Sequence, residues 1–204
     1  MTSFFVSLDG IDGCGKSTQI ALLKQWLENQ GHSVLLVRDP GGTKLGESLR
    51  EILLHRKEIP LASTAEMLLY MASRAQLVRE CIEPALAEGR VVISDRYLLA
   101  NVVYQSCAGV PAESIWQVGS IATGGREPDL TFVLDLDPAI AYGRMEGEHD
   151  RLESRGLDYM RAVRDGFLNQ SKQLGNKVKV IDANQSIEAI QDQIAAELSV
   201  RLLS

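Results

Sequence analysis

The chain has 204 residues, 45% hydrophobic and 24% charged, which is the mix of a soluble globular protein with one domain, or one domain with a mobile insertion. No apolar run approaches the roughly 20 residues that a bilayer crossing needs, and the N-terminal MTSFFVSLDG lacks the basic stretch of a secretion signal, so neither membrane nor export is expected. A net charge of −6 gives no basic footprint for nucleic acid, so anionic ligands must be held at one concentrated site by local arginines and backbone amides.

The three cysteines, Cys14, Cys81 and Cys107, are odd in number and form no CxxC pair. That argues against a disulfide framework or a zinc site and fits a reducing cytoplasm. Along the chain, residues 3–8 read as a strand, and 16–29 as a helix with Ile20, Leu23 and Leu27 on one face. Residues 33–37 form the next strand. A long helix is expected over about 64–87, with Ser63 and Glu66 at capping-box spacing. Residues 91–94 and 130–134 are short, nearly all-apolar runs, as strands covered on both faces require. Residues 178–181 are a weaker strand, and the closing helix aligns Ile187, Ile190, Ile194 and Leu198. This alternation predicts an α/β fold with a five-stranded parallel sheet and helices on both faces, its ligands beyond the carboxyl ends of the strands.

Gly10-Ile11-Asp12-Gly13-Cys14-Gly15-Lys16-Ser17 matches G-x-x-x-x-G-K-[ST] between a predicted strand and a predicted helix, the context this phosphate-binding loop requires. Its backbone amides, from Gly10 to Thr18, and the helix N-terminus would wrap the phosphates of a nucleotide, with Lys16 on the β- and γ-phosphates and Ser17 on Mg2+. Cys14 is either a small residue tolerated in the loop or a thiol sensitised by Lys16. No N-K-x-D guanine signature and no LSGGQ-like segment accompanies the loop. A set of arginines and aromatics suited to a second phosphorylated ligand does. Tyr70 and Arg74 share a helix face at i and i+4, Asp95-Arg96-Tyr97 follows a strand, and Asn101, Tyr104 and Gln105 share a helical face. Each alone has a bland reading, a snorkelling surface arginine for Arg74 and a local ion pair for Asp95 and Arg96. Together they supply an aromatic plate, an amide for base edges and two forked donors for a monophosphate.

These residues, with Arg38-Asp39-Pro40-Gly41-Gly42-Thr43, Ala122-Thr123-Gly124-Gly125, Pro128-Asp129-Leu130 and Asp150-Arg151-Leu152-Glu153, resemble the thymidylate kinase family over nearly the whole chain. The resemblance implies the P-loop nucleoside monophosphate kinase fold with a mobile lid over about 143–156. It also implies phosphoryl transfer from ATP to dTMP with Mg2+, and a cytoplasmic homodimer. Tyr70 would then stack on thymine, Arg74 would bond the base and help hold the acceptor phosphate, and Asn101 would read the base edge. Tyr104 would crowd the 2′ side of the sugar, with Gln105 supporting that pocket, while Arg38 and Arg96 hold the acceptor phosphate. Asp12 would lie near the 3′-hydroxyl, and Ser17, Asp9 and Asp95 would serve the metal. Asp9 and Asp39 stand where the family usually has Glu, and the lid carries Glu146 at a position that is often basic. The phosphate loop contains no arginine, so the lid, with Arg144, Arg151 and Arg155, is expected to deliver Arg151 to the transferring phosphate. Lys16, Arg96, Arg151 and Asp12 are accordingly the expected catalytic set. A monophosphate kinase of broader pyrimidine specificity and a non-catalytic nucleotide sensor are the alternatives.

Overall fold

Phe4, Val6 and Leu8 alternate with Phe5, Ser7 and Asp9 along β1 (Phe4–Asp9), and all six are buried, so this strand must be covered on both faces. The computed structural model describes residues 3–144 and 156–202 and shows how. Four further parallel strands extend β1 into a five-stranded sheet with the order β2–β3–β1–β4–β5. These are β2 (Val34–Arg38), β3 (Val91–Asp95), β4 (Leu130–Asp135) and β5 (Val178–Asp182). Phe4, Val6 and Leu8 point into one core with Ile20, Leu23 and Leu27 of α1 (Lys16–Asn29), Val163 and Phe167 of α8 (Leu157–Leu174), and Ile190, Ile194 and Leu198 of α9 (Ile187–Leu202). Phe5 points into the opposite core with Met67, Met71 and Leu77 of α3 (Ser63–Leu77) and Ile115 of α6 (Ala112–Thr123). Each such side chain, fully buried, contributes roughly 1.5–3 kcal/mol of transfer free energy.

All five expected strands are present, and each runs one residue further than read. The additional residue is charged every time: Asp9, Arg38, Asp95, Asp135 and Asp182. The chain order carries it from β3 across β1 to β4, which makes the carboxyl end of β1 the switch point where ligands bind in such sheets.

The long helix expected over 64–87 is three segments in succession: α3, a π turn at Val78–Ile82, and α4 (Glu83–Ala87). Pro84 has no N–H for the preceding turn, and the wider register accommodates it. The expected capping box does not form. Ala62 is the N-cap, Ser63 Oγ donates to the Ala108 carbonyl, and Glu66 is buried in side-chain contacts. Ile187, at the first turn of α9, is half exposed and falls outside the expected stripe. The sequence reading also left unassigned α2 (Lys44–Arg50), α6, α7 (Pro138–Gly143) and α8, while α5 (Leu98–Cys107) is the short helix expected around Asn101.

Candidate active site

The glycine-rich loop is wedged between β4 and α7, and two glycines show why. A Cβ at Gly10 would lie 2.6 Å from the Leu134 carbonyl oxygen, and one at Gly13 would lie 2.4 Å from that of Ala141; both residues have positive φ, +136° and +76°. Only glycine fits such positions. Ile11 and Cys14 turn into the core, each 2% exposed, which anchors the loop and gives Cys14 a packing role. Helix α1 begins at Lys16 with no side-chain cap, so its first amides remain available to an anion. The Lys16 ammonium is folded back, donating to the carbonyls of Ile11 at 2.8 Å and Gly10 at 3.2 Å, with Asp12 3.9 Å away.

Opposite the loop, Arg96 follows β3 with φ +65°, a left-handed conformation that costs a residue with a Cβ about 1–2 kcal/mol. It is held there by its own N–H to the Leu8 carbonyl at 3.0 Å and by Ser94 Oγ, which donates to its carbonyl at 2.5 Å. The turn aims its guanidinium at the Asp12 carboxylate (2.5 Å), the Gly10 carbonyl (2.8 Å) and the face of Tyr104 (5.1 Å). Tyr104 donates its hydroxyl to the other Asp12 oxygen at 3.2 Å. Burial alone would raise the Asp12 carboxyl, but Arg96, Lys16 and the two hydrogen bonds outweigh it and hold the group at about 2. The partner of Arg96 is therefore Asp12, eighty-four residues away, and not the adjacent Asp95.

Arg74 is 1% exposed, the largest fully buried side chain among the described residues, which overturns the snorkelling reading. Its Nε donates to Asp39 at 2.5 Å and its Nη1 to Asn101 Oδ1 at 3.0 Å, with the Tyr97 ring 5.5 Å away. The Asn101 amide in turn donates to Gln105, whose Nε2 donates to Glu66 at 2.9 Å. Asp39 is wholly enclosed; burial pushes its carboxyl up while Arg74 pulls the other way. Direct contact with Arg74 shows what the shorter acid at this position does.

Between the two constellations lies a cleft of about 370 Å³. Asp12, Gly13, Gly15, Lys16, Ser17 and Thr18 line its phosphate-loop end, and Tyr70, Arg74, Asn101, Tyr104 and Gln105 its other end. Arg38, Arg96 and Asp95 stand between them, so the structure brings together nearly every residue singled out from the sequence. Gly10, Ile11 and Cys14 of the loop do not line it, and neither does Asp9. It is 0% exposed, lies behind the cleft wall, and is raised to about 7, chiefly by burial, with Arg96 and Lys16 opposing. Arg144, at the end of α7, reaches the rim. Arg151, Arg155 and most of the expected lid lie outside the described residues.

Three lining residues were not read from the sequence: Arg50, Leu54 and Ala100. Arg50, at the end of α2, lines the cleft and donates to the Pro40 carbonyl at 2.9 Å; burial first, then the charge of Arg38, lowers its pKa. Leu54 adds an apolar wall beside Tyr70. Thr43 caps α2, its hydroxyl accepting from the Gly46 amide at 2.9 Å, and helical spacing from it could have indicated Arg50, but no sequence signal announced Leu54.

The donor set suits a hard divalent cation. Ser17 and Asp95 line the cleft, and Oδ1 of Asp95 and Oδ1 of Asp9 are buried without hydrogen-bond partners. Among the described residues no group of three or more His, Cys, Asp or Glu could hold a metal unaided. That fits an ion held by one or two carboxylates together with substrate phosphates.

A phosphate loop at the sheet's switch point, facing a second basic pocket with an aromatic wall, defines a P-loop nucleoside monophosphate kinase. The sequence model for thymidylate kinase matches residues 8–194. A thymidylate kinase of Rhodopirellula baltica is 49% identical over 94% of this chain and 78% of its own length. One from Bifidobacterium longum is 43% identical over 97% of this chain and 98% of its own. The crystal structure of thymidylate kinase from Ehrlichia chaffeensis superposes with a TM-score of 0.81 at 29% identity, covering 97% of this chain and all of that one. The chain belongs to the thymidylate kinase family.

Proposed function

We propose that the chain transfers the terminal phosphoryl group of ATP to dTMP, giving dTDP and ADP, with ATP on the glycine-rich loop and dTMP in the arginine-lined half of the cleft. The observation that carries this reading is Arg74: a guanidinium wholly buried in the wall of the cleft, fixed by Asp39, beside Tyr70 and Asn101. A nucleotide hydrolase or sensor has no need of a second pre-formed basic and aromatic pocket facing the first.

The acceptor is a phosphate monoester, mostly dianionic at neutral pH because its second pKa is near ~6, so no general base is required. The obstacle is electrostatic. Two single charges 4 Å apart repel by about 4 kcal/mol at an effective dielectric of 20, and several meet here. Lys16 offsets this from the donor side, and Arg96, Arg38 and Arg50 from the acceptor side. Lys16 can leave the loop carbonyls for incoming phosphate oxygens without losing its position. Arg96 is pre-aimed by its turn and by Asp12, so little reorganisation is needed when charge shifts between the phosphates. Mg2+ is the cation we assign to Ser17 and Asp95, with Asp9 behind them; when bound it supplies neutralisation of the donor phosphates. The lid arginine Arg151 completes the set of positive charges. In the cytoplasmic homodimer that the family implies, a second copy would cover apolar groups such as Ile121, which is 82% exposed on α6.

The test is ADP formation from Mg·ATP with dTMP, dUMP, UMP, CMP, AMP and GMP in parallel. A signal dominated by dTMP and abolished by Arg96→Ala is expected. Activity spread evenly over the acceptors would refute the thymidine pocket, and ADP release independent of any acceptor would refute the kinase.

A further inference from the structure

A buried carboxylate that the reaction does not use stands at the end of the base-side wall. Glu66 is 3% exposed and does not line the cleft, yet it accepts from Gln105 Nε2 at 2.9 Å. Gln105 does line the cleft, as do Asn101 and Arg74. We infer that Glu66 is a specificity-determining positioning residue: it fixes which way the Gln105 and Asn101 amides point, and so which pyrimidines the cleft accepts. This rests on the assignment of a pyrimidine monophosphate to that half of the cleft.

A carboxamide has a donor end and an acceptor end of nearly equal shape, so sterics alone do not choose between its two orientations. Hydrogen bonding does. With its Nε2 committed to Glu66, Gln105 must present Oε1 to Asn101, and it accepts there from Asn101 Nδ2. Asn101 is then obliged to present Oδ1 to Arg74, which it does at 3.0 Å. Arg74, which has no acceptor, closes the series on Asp39. The row therefore runs acid, amide, amide, guanidinium, acid, with an acceptor-only group at each end, and the bonds along it fit one sense only.

The reversed row would set the Asn101 amide against Arg74, two donors face to face in a buried site, which is costly. Oriented as it is, the row leaves its uncommitted N–H bonds, the second ones of Asn101 and Gln105 and one on Nη2 of Arg74, as the groups that can face a ligand. Donors select a ring carbonyl, as thymine and uracil carry at position 4, and reject the amino group that cytosine carries there. Glu66 thus acts through Gln105 without touching substrate.

The experiment measures kcat and KM for dTMP, dUMP and dCMP, and KM for ATP, in the wild type, Glu66→Gln and Glu66→Met, with thermal unfolding of each protein. Glu66→Gln is isosteric but can donate as well as accept; Glu66→Met removes the acceptor. The dUMP to dCMP ratio of kcat/KM isolates the ring position in question. Expected are a fall in that ratio of about threefold for Glu66→Gln and about tenfold for Glu66→Met, a parallel rise in KM for dTMP, and unchanged kcat and KM for ATP. A ratio and KM unaltered in both folded variants would overturn the inference. So would a loss of kcat at constant KM, or failure of Glu66→Gln to fold, since either assigns Glu66 to another role. A wild type that itself does not prefer dUMP and dTMP over dCMP would instead overturn the assignment of the base pocket.

Discussion

The Arg96 guanidinium donates to the Asp12 carboxylate across 2.5 Å, joining the turn after β3 to the phosphate loop after β1. Two strands that are neighbours in the sheet are thereby locked together where two phosphates must meet. The contact serves stability and chemistry at once, and the two can be separated.

The Asp12 carboxyl is lowered from 3.8 to about 2 in the folded protein, so it stabilises the fold fully above its unfolded value and loses that contribution as pH falls through about 2. The shift corresponds to about 2 kcal/mol. Asp12→Asn is expected to cost about that much at pH 7, with a difference from wild type that shrinks steadily below about pH 4. Urea unfolding of both proteins across this range measures it; a difference independent of pH would contradict the assignment.

Arg96 is the one non-glycine residue with positive φ among the described residues. Arg96→Gly and Arg96→Ala both remove the guanidinium, and both are expected to lower kcat/KM for dTMP by about a thousandfold. They differ in backbone cost: the glycine variant should be the more stable by about 1 kcal/mol. Chemical denaturation of the pair decides, and equal stabilities would mean that the turn is not strained.

Arg74 and Asp39 form a buried pair whose side chains are 2% and 0% exposed. Removing one partner strands the other charge, so Arg74→Met should destabilise by about 3–5 kcal/mol and raise KM for dTMP. Adding Asp39→Asn to that variant should recover part of the stability and none of the affinity. A double variant no more stable than Arg74→Met would argue that the pair's hydrogen bonds, and not the stranded charge, set the cost.

What was legible in the sequence was local. The phosphate loop is contiguous, and the apolar runs of β1, β3 and β4 announce burial by themselves. Arg96 was found because it directly follows a strand, and Tyr104 because it sits about two turns into the helix after it. Long-range partners were not legible: nothing near Arg74 points to Asp39, thirty-five residues earlier, and nothing near Glu66 points to Gln105, thirty-nine residues later. Glu66 in particular was read as half of a capping box because its spacing from Ser63 satisfies that pattern, whereas tertiary contacts claim both side chains. Helix α8 carries a proper stripe of Met160, Val163, Phe167 and Ser171, but the charged residues between them masked it.

Arg151 was chosen from the absence of arginine in the phosphate loop, and among the described residues Arg144 is the lid arginine that reaches the cleft rim. Arg151→Ala is expected to lower kcat by about a thousandfold with little change in either KM, the signature of a contact made only in the transition state. Arg144→Ala should lower kcat less. Steady-state kinetics of the two variants checks the order, and its reversal would move the catalytic role to Arg144.

Arg38 is half exposed and donates to both oxygens of Glu47, at 3.0 and 3.2 Å. Glu47 also accepts from the Gly42 amide at 2.8 Å, and that bond leads the causes that lower its pKa. An exposed pair of this kind adds little to stability, so its effect falls on binding: the acceptor phosphate must compete with Glu47 for Arg38. Glu47→Gln keeps an acceptor for Gly42 and removes the competing charge. It should leave thermal stability nearly unchanged and lower KM for dTMP by about threefold at low ionic strength, an advantage that fades as salt screens the charges. A higher KM would show that Glu47 positions Arg38 for the phosphate and does not compete for it.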